Sequence, residues 1–251
     1  MKFHNKLPYC ENNVCFSKTN PQLMYLEVIN PSDIEYVILC AGCSFTSCRK
    51  GNEEYPYASF LPGHTYNIGI RGIGIVPTYF RTFLQNVPDI NLTHIVYQVP
   101  CPTRQPADLN DFKERHFRAT LGKSRPRSVW MQLTVGHKPS HPNFSLQAFD
   151  KIDQYLKKAI DMVDINVKLI REQNPNVKII FLRYEHTNRP LIYEFSKRFY
   201  KTILTDYCKE NNITYIYEEN FNTKWFKKNK YGSHPNKAGA KLIADKIKEY
   251  L

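Results

Sequence analysis

The chain has 251 residues, seven cysteines and a formal net charge of +12. A chain of this length suits a single α/β domain and buries a sizeable core without a disulfide framework. No stretch reaches the ~18 apolar residues of a membrane helix, and the first residues, MKFHNKLPYCENN, lack the apolar core of a signal peptide. The sequence therefore predicts a cytoplasmic protein with reduced thiols and no membrane span.

The charge favours an anionic partner, such as a nucleic acid, a phosphorylated sugar, an acidic polysaccharide or coenzyme A. The lysines are spread along the chain, however, and this pattern equally describes a surface that is basic by default. The aromatic residues, 14% of the chain, do not alternate with basic residues in a compact stripe, and no nucleic-acid-binding motif occurs. Nucleic acid is therefore the less favoured partner.

The predicted elements follow a polar segment. Residues 1–33 are irregular and interrupted by Asn and Pro, which indicates an N-terminal extension. The sequence leaves open whether it covers a sheet edge or mediates assembly into a homo-oligomer. Apolar runs typical of buried strands then alternate with helix candidates. The predicted strands are 36–41, 65–70, 93–99, 177–183 and 213–218. The predicted helices are 55–61, 76–87, 145–173, 191–210 and 236–251.

This alternation predicts one three-layer α/β/α domain over residues 34–251, with a parallel sheet of about five strands and helices on both faces. Ligands bind such sheets at the carboxyl ends of the strands. A basic, Pro-rich insertion at about 105–144 follows the third predicted strand and interrupts the alternation. Long segments of this kind are typical of functional loops, so we expect a lid over an anionic substrate.

The first motif is AGCSFT, which directly follows the first predicted buried strand. Ser44 in this turn would present its hydroxyl at the carboxyl edge of the sheet, and its own backbone N–H would begin an oxyanion hole. The motif is not the G-x-S-x-G elbow of α/β-hydrolases, because Phe45 and Thr46 follow the serine. In isolation it is equally consistent with an ordinary turn.

The second motif is YNIGIRGIGI, in which Asn67 ends a predicted strand and Gly69 and Gly72 follow. Glycines allow a backbone to approach a ligand closely and to expose its N–H groups. The same glycines are consistent with a strand-to-helix turn that serves no ligand.

The third motif is YGSHPNKAG, in which His234 directly precedes Pro235 and the last predicted helix. A histidine on such a rigid corner can act as the base that a serine hydroxyl needs. Taken alone, the motif describes an exposed histidine before a helix.

In this order, the three motifs resemble those of the GDSL/SGNH hydrolases, over about residues 36–251. The resemblance implies a flavodoxin-like α/β/α fold and a serine-dependent acyl-ester hydrolase, with no cofactor and no metal. Ser44 stands in the place of the nucleophile of the family's GDS turn, and His234 and Pro235 match its D-x-x-H-P motif. Asn67 and Gly72 keep the family's spacing, which implies that the Gly72 N–H serves the oxyanion hole.

Two positions depart from the family's pattern. Tyr231 replaces the aspartate three residues before His234, and losing an orienting carboxylate lowers a rate by several powers of ten. The family's G-x-N-D is replaced by QVPCPTRQ, where Gln98, Thr103 or Arg104 could supply the missing donor. Arg104 is favoured by its charge, and Gln98 by its amide and its place on the strand, so we expect Gln98 or Arg104 to be the oxyanion donor. The residues expected to contact the substrate are Asn67, Arg71, Arg104 and Tyr231.

Thiol chemistry is the rival interpretation of the first motif. Cys40 and Cys43 have the C-x-x-C spacing of a redox pair, and Cys43 is itself a candidate nucleophile. A thioredoxin-like fold accounts for neither of the other two motifs, and Cys40 is in phase with a buried strand. A zinc site has no familiar spacing among the available cysteines, which are Cys10, Cys15, Cys40, Cys43 and Cys48.

The sequence therefore predicts an esterase or deacetylase that acts through an acyl-enzyme. Its expected substrate is an ester-bearing small molecule or saccharide of anionic character. Two alternatives remain open: an O-acyltransferase that moves an acyl group onto a polysaccharide or sugar, and a catalytically impaired carbohydrate-binding relative.

Overall fold

The computed structural model describes residues 10–11, 14–16, 26–29, 35–47, 55–69, 75, 91–100, 102, 152–184, 197–218, 226–229 and 232–251. The predicted helix 76–87 and the predicted insertion 105–144 lie outside the described residues. So do four candidate site residues, namely Arg71, Gly72, Arg104 and Tyr231.

The described residues form ten strands. In chain order they are β1 (Cys10–Glu11), β2 (Val14–Phe16), β3 (Leu26–Ile29), β4 (Val37–Ala41), β5 (His64–Asn67), β6 (His94–Gln98), β7 (Lys178–Tyr184), β8 (Thr214–Glu218), β9 (Phe226–Asn229) and β10 (Gly232–Pro235). Strands β4 to β8 coincide with the five predicted strands to within a few residues.

Strands β4 to β8 run parallel in the order β5-β4-β6-β7-β8. Numbered along the chain, this is the flavodoxin-like order 2-1-3-4-5, as expected from the sequence. The connections leave β4 and β6 in opposite directions across the sheet. The crevice for a ligand in such a fold lies at this switch point, outside the carboxyl ends of β4 and β6.

Three short strands extend the sheet beyond β5. Strand β3 pairs antiparallel with β5, and β2 and β1 follow in antiparallel pairs, so the whole sheet has eight strands. The sequence analysis did not anticipate these strands. They are two to four residues long, which is too short for an alternating pattern to stand out from a polar segment.

Helices cover both faces of the sheet. They are α1 (Ser44–Ser47), α2 (Ile152–Gln173), α3 (Leu204–Glu210) and α4 (Lys237–Lys248), with a 3₁₀ turn at Tyr57–Phe60 and a π-helical turn at Phe199–Ile203. The predicted helix at 191–210 therefore contains a π turn, and the predicted helices at 145–173 and 236–251 contain α2 and α4.

Successive strand residues pack into two different apolar clusters, because side chains alternate across a strand. Leu39 and Ala41 join the cluster that contains the buried face of α2. Ile38 and Cys40 join the cluster on the opposite face, which contains the 3₁₀ turn and α4. The chain is therefore a three-layer α/β/α structure.

The inward face of α2 carries apolar residues at intervals of three and four. Those at this spacing from Leu156 to Ile170 are all buried, namely Leu156, Ala159, Val163, Val167 and Ile170. Helix α4 begins at Asn236, whose side chain accepts a hydrogen bond from the Gly239 backbone N–H at 2.9 Å, as N-cap residues do. Within the described ranges, no helix is long and apolar enough to cross a membrane.

Candidate active site

The turn after β4 depends on Gly42. Its φ is +149°, a conformation that side-chain-bearing residues rarely adopt. A Cβ at this position would lie 2.5 Å from Thr46 Oγ1 and 2.8 Å from both Cβ and the carbonyl oxygen of Gln98. Glycine thus lets the end of β4 lie directly against α1 and the end of β6. Helix α1 then begins at Ser44, so Ser44 stands at the switch point of the sheet.

Gln98, the last residue of β6, is bonded to this turn. Its Oε1 accepts hydrogen bonds from the Cys43 backbone N–H at 3.2 Å, from Cys43 Sγ at 3.1 Å and from Thr46 Oγ1 at 3.3 Å. All three residues are buried, and Gln98 is 3% exposed. The structure therefore brings Gln98 together with Cys43, which precedes Ser44, and with Thr46, two positions after it.

Asn67, at the end of β5, joins the same cluster from the other neighbouring strand. Its Nδ2 donates to the carbonyl oxygen of Thr46 at 2.7 Å, and its Oδ1 accepts from the Gly69 backbone N–H at 3.0 Å. The side chain is 3% exposed. Asn67 thus ties α1 to β5 and also holds the backbone of Gly69.

His234 lies in β10, which pairs antiparallel with β9, and it is opposite Lys227 in the register. The corner is fixed further by the Asn236 cap and by a hydrogen bond from the Tyr55 backbone N–H to the Pro235 carbonyl at 3.1 Å. His234 is only 6% exposed. It is not the exposed histidine that the isolated motif describes, because its ring packs against the turn after β4.

The contact between the two motifs is made by Phe45. The Phe45 ring and the His234 imidazole lie 5.4 Å apart, centroid to centroid, at an interplanar angle of 54°. Phe45 directly follows Ser44, for which the structure describes the backbone and not the side chain. The first and third motifs, which are far apart in the chain, therefore meet at one edge of the sheet.

The two thiols with C-x-x-C spacing, Cys40 and Cys43, lie on opposite faces of the sheet. Cys40 packs in the cluster with α4, and Cys43 packs in the cluster with α2. Both are buried free thiols. Burial raises the pKa of Cys40 far above its ordinary value, although a hydrogen bond with Tyr57 acts in the opposite direction. This placement leaves neither thiol exposed, whereas redox or nucleophilic chemistry needs an accessible thiol.

Thr46 is a further member of this cluster, and the sequence does not predict its role. This residue is fully buried, and besides its bond to Gln98 its Oγ1 lies 3.4 Å from the Tyr57 hydroxyl and 3.5 Å from the Ala41 carbonyl. The only local signal was a hydroxyl residue two positions after Ser44. Its partners lie on β6 and the 3₁₀ turn, so no sequence pattern near Thr46 could identify them.

The comparisons with known proteins rest on structure. No protein-family model and no curated protein matches the sequence. The fold is similar to that of a candidate GDSL-like lipase from Parabacteroides merdae, with 18% sequence identity, a TM-score of 0.50, and coverage of 86% of this chain and 95% of the other.

Two esterase structures are also similar to this chain. The psychrotrophic esterase EstA from a Pseudoalteromonas species is 15% identical, with a TM-score of 0.49 and coverage of 84% of this chain and 94% of the other. The acetylxylan esterase Axe2 from Geobacillus stearothermophilus is 14% identical, with a TM-score of 0.47 and coverage of 86% and 94%.

Proposed function

We propose that this chain, which has the fold of the GDSL/SGNH hydrolases, is a serine-dependent acyl-ester hydrolase with Ser44 as nucleophile and His234 as general base. The observation that carries the proposal is the 5.4 Å contact between the rings of Phe45 and His234. It brings the turn that bears Ser44 next to a buried imidazole, at the edge of the sheet where ligands bind in this fold.

In the first half-reaction, the Ser44 hydroxyl attacks the carbonyl carbon of the ester. His234 accepts the hydroxyl proton, because a serine hydroxyl is a weak nucleophile without a base. The carbonyl oxygen becomes an oxyanion. When the tetrahedral intermediate collapses, the bond to the leaving alcohol breaks and His234 returns the proton to that oxygen. The product is an acyl-enzyme on Ser44.

Hydrogen-bond donors around the carbonyl oxygen stabilise this oxyanion. Ser44 begins α1, and the N–H groups in the first turn of a helix have no intrahelical acceptor, so the Ser44 N–H is available. The Cys43 N–H is not, because it donates to Gln98 Oε1. The Gly72 N–H and the Gln98 amide complete the oxyanion hole in our proposal.

In the second half-reaction, water attacks the acyl-enzyme while His234 accepts its proton. The bond between the acyl carbon and Ser44 Oγ then breaks, His234 returns the proton to Ser44 Oγ, and the carboxylic acid leaves. The substrate that we propose is an anionic saccharide ester, because the chain is strongly basic. Arg71 and Arg104 would pair with its charge, and Asn67 and Tyr231 would contact the sugar. A sugar hydroxyl in place of water would make the same acyl-enzyme an O-acyltransferase.

The test uses a fluorophosphonate probe and a short-chain nitrophenyl ester on the wild type, Ser44→Ala and Ser47→Ala. Ser47 closes the same short helix and is the matched control. We expect Ser44→Ala to lose probe labelling and to lower kcat by about 10⁴-fold or more. Ser47→Ala should label and turn over like the wild type.

Three results would contradict the proposed serine hydrolase in different ways. Turnover that survives Ser44→Ala excludes Ser44 as nucleophile. Labelling that is absent from the wild type favours the carbohydrate-binding alternative. Turnover of the nitrophenyl ester that yields an acylated sugar rather than free acid, when an oligosaccharide is added, assigns a transferase.

A further inference from the structure

Gln98 Oε1 accepts hydrogen bonds from three donors that belong to a single turn. The Cys43 N–H, the Cys43 thiol and the Thr46 hydroxyl lie at 3.2, 3.1 and 3.3 Å from this one oxygen. Cys43 is 2% exposed and Thr46 is 0% exposed, so water does not compete for these bonds.

The backbone donor fixes which way the amide faces. A backbone N–H can only donate, so the Gln98 atom that faces Cys43 N must be the carbonyl oxygen. A flip of the amide would set its NH₂ group against this N–H. The three hydrogen bonds that Oε1 accepts thus set the orientation of the amide. Nε2 therefore lies on the side away from these three donors.

All three of these hydrogen bonds use Oε1, and Nε2 makes none with a described residue. The hydrogens of the amide NH₂ therefore remain available to an acceptor. Gln98 ends β6 at the switch point of the sheet, where a ligand carbonyl would lie. The side chain is thus held by its oxygen and has donors left for a ligand.

We infer that Cys43 and Thr46 are positioning residues that orient the Gln98 amide, so that Nε2 donates to the oxygen on which negative charge develops during acyl transfer. The inference rests on the proposed function. It adds that the oxyanion donor is fixed by the turn that carries the nucleophile. A shift of that turn would therefore misalign the nucleophile and the donor together.

The first test is Gln98→Glu in the full chain. One carboxylate oxygen can accept the same three hydrogen bonds, but the other has no hydrogen to donate and carries charge toward the oxyanion. We expect kcat on a nitrophenyl ester to fall about 10²–10³-fold, as on removal of one oxyanion donor. KM should change less than about threefold, because the donor acts in the transition state. A folded Gln98→Glu variant with wild-type kcat would overturn the inference.

The second test compares Thr46→Val with Thr46→Ser, and Cys43→Ala with Cys43→Ser. Val and Ala remove the side-chain donor, whereas Ser keeps one. Because the Cys43 N–H remains, each loss should lower kcat only about tenfold with KM nearly constant. The Ser variants should recover most of the rate. Equal kcat within each pair would overturn the positioning role, and these pairs decide the matter if Gln98→Glu does not fold.

The failures of the two proposals are distinguishable. Fluorophosphonate labelling that ignores Ser44→Ala overturns the proposed function and this inference together. Labelling that requires Ser44 but proceeds at the wild-type rate in Gln98→Glu overturns this inference alone. Labelling that requires Ser44 and slows in Gln98→Glu, Thr46→Val and Cys43→Ala supports both.

Discussion

The Phe45 ring lies 5.4 Å from the imidazole of His234, and both belong to segments that pack at the carboxyl edge of the sheet. The turn after β4 supplies the first ring and the hairpin before α4 supplies the second. His234 therefore owes its position to tertiary packing as well as to its own hairpin.

Phe45→Ala should reduce activity more than its effect on stability explains. The substitution removes the ring that packs against His234, and a misplaced base slows proton transfer. We expect the rate of fluorophosphonate labelling to fall about tenfold and the free energy of unfolding to fall by roughly 2 kcal/mol. The matched control is Phe60→Ala, because Phe60 is also half-buried and packs against the same apolar cluster. An equal loss of labelling rate in both variants would argue against a role for Phe45 in holding His234.

Gly42→Ala should destabilise the fold strongly. Its Cβ would lie 2.5 Å from Thr46 Oγ1 and 2.8 Å from Gln98, on a backbone at φ +149°. We expect a loss on the order of 3 kcal/mol, from backbone strain and overpacking together. Urea unfolding gives this value. Gly63→Ala, which also replaces a glycine at positive φ, is the comparison, and a smaller loss at Gly42 than at Gly63 would contradict the close approach.

His94 should make the protein less stable in mild acid. Burial lowers the pKa of His94 below its ordinary 6.5, and the charge of Lys178 acts in the same direction, while the carbonyl of Leu251 opposes both. The unfolded chain therefore binds a proton more readily than the folded one. The contribution of neutral His94 to the free energy of unfolding is complete above about pH 6.5. It is lost as the pH falls from there through the lowered pKa of His94 in the folded chain.

The measurement is urea unfolding at about pH 7.5 and pH 5.5 for the wild type and His94→Gln. The variant should lose less stability between the two pH values than the wild type does. Lys178→Met is the control, because removing the Lys178 charge should raise the pKa of His94 and also weaken the pH dependence. Identical pH dependence in wild type and His94→Gln would refute the assignment.

Asn166→Leu should be neutral or stabilising by about 1 kcal/mol, although Asn166 is fully buried. Asn166 Nδ2 makes a long hydrogen bond of 3.5 Å to the Tyr97 hydroxyl, and its Oδ1 has no partner among the described residues. Leu is close in shape and needs no partner. Asn166→Asp is the contrasting variant and should lose several kcal/mol, because it buries a charge. Thermal unfolding of both variants tests this, and a marked loss in Asn166→Leu would contradict it.

The sequence placed four candidate site residues at the ends of strands and helices, for a local reason. Ser44, His234, Asn67 and Gln98 each stand beside an apolar run or a helix start, so their places at strand and helix ends could be read from neighbouring residues. The roles of Ser44 and His234 stay predictions, and Arg71, Gly72, Arg104 and Tyr231 lie outside the described residues.

The orientation of these side chains could not be predicted from neighbouring residues in the sequence. The bond between Cys43 and Gln98 joins residues 55 positions apart, and no spacing rule connects them. The hydrogen bond from Thr46 to Gln98 and the burial of His234 also involve residues that are distant in sequence. Each depends on which strands become neighbours in the sheet.

The sequence by itself determined the order of the five parallel strands and the long helices, because the apolar pattern of buried strands and amphipathic helices is visible in consecutive residues. Tertiary structure decided which strands adjoin, how β1 to β3 extend the sheet, and which face each thiol occupies. It also decided that the Gln98 oxygen faces the turn and that Phe45 meets His234. These outcomes depend on packing between distant segments, and packing is a property of the assembled chain.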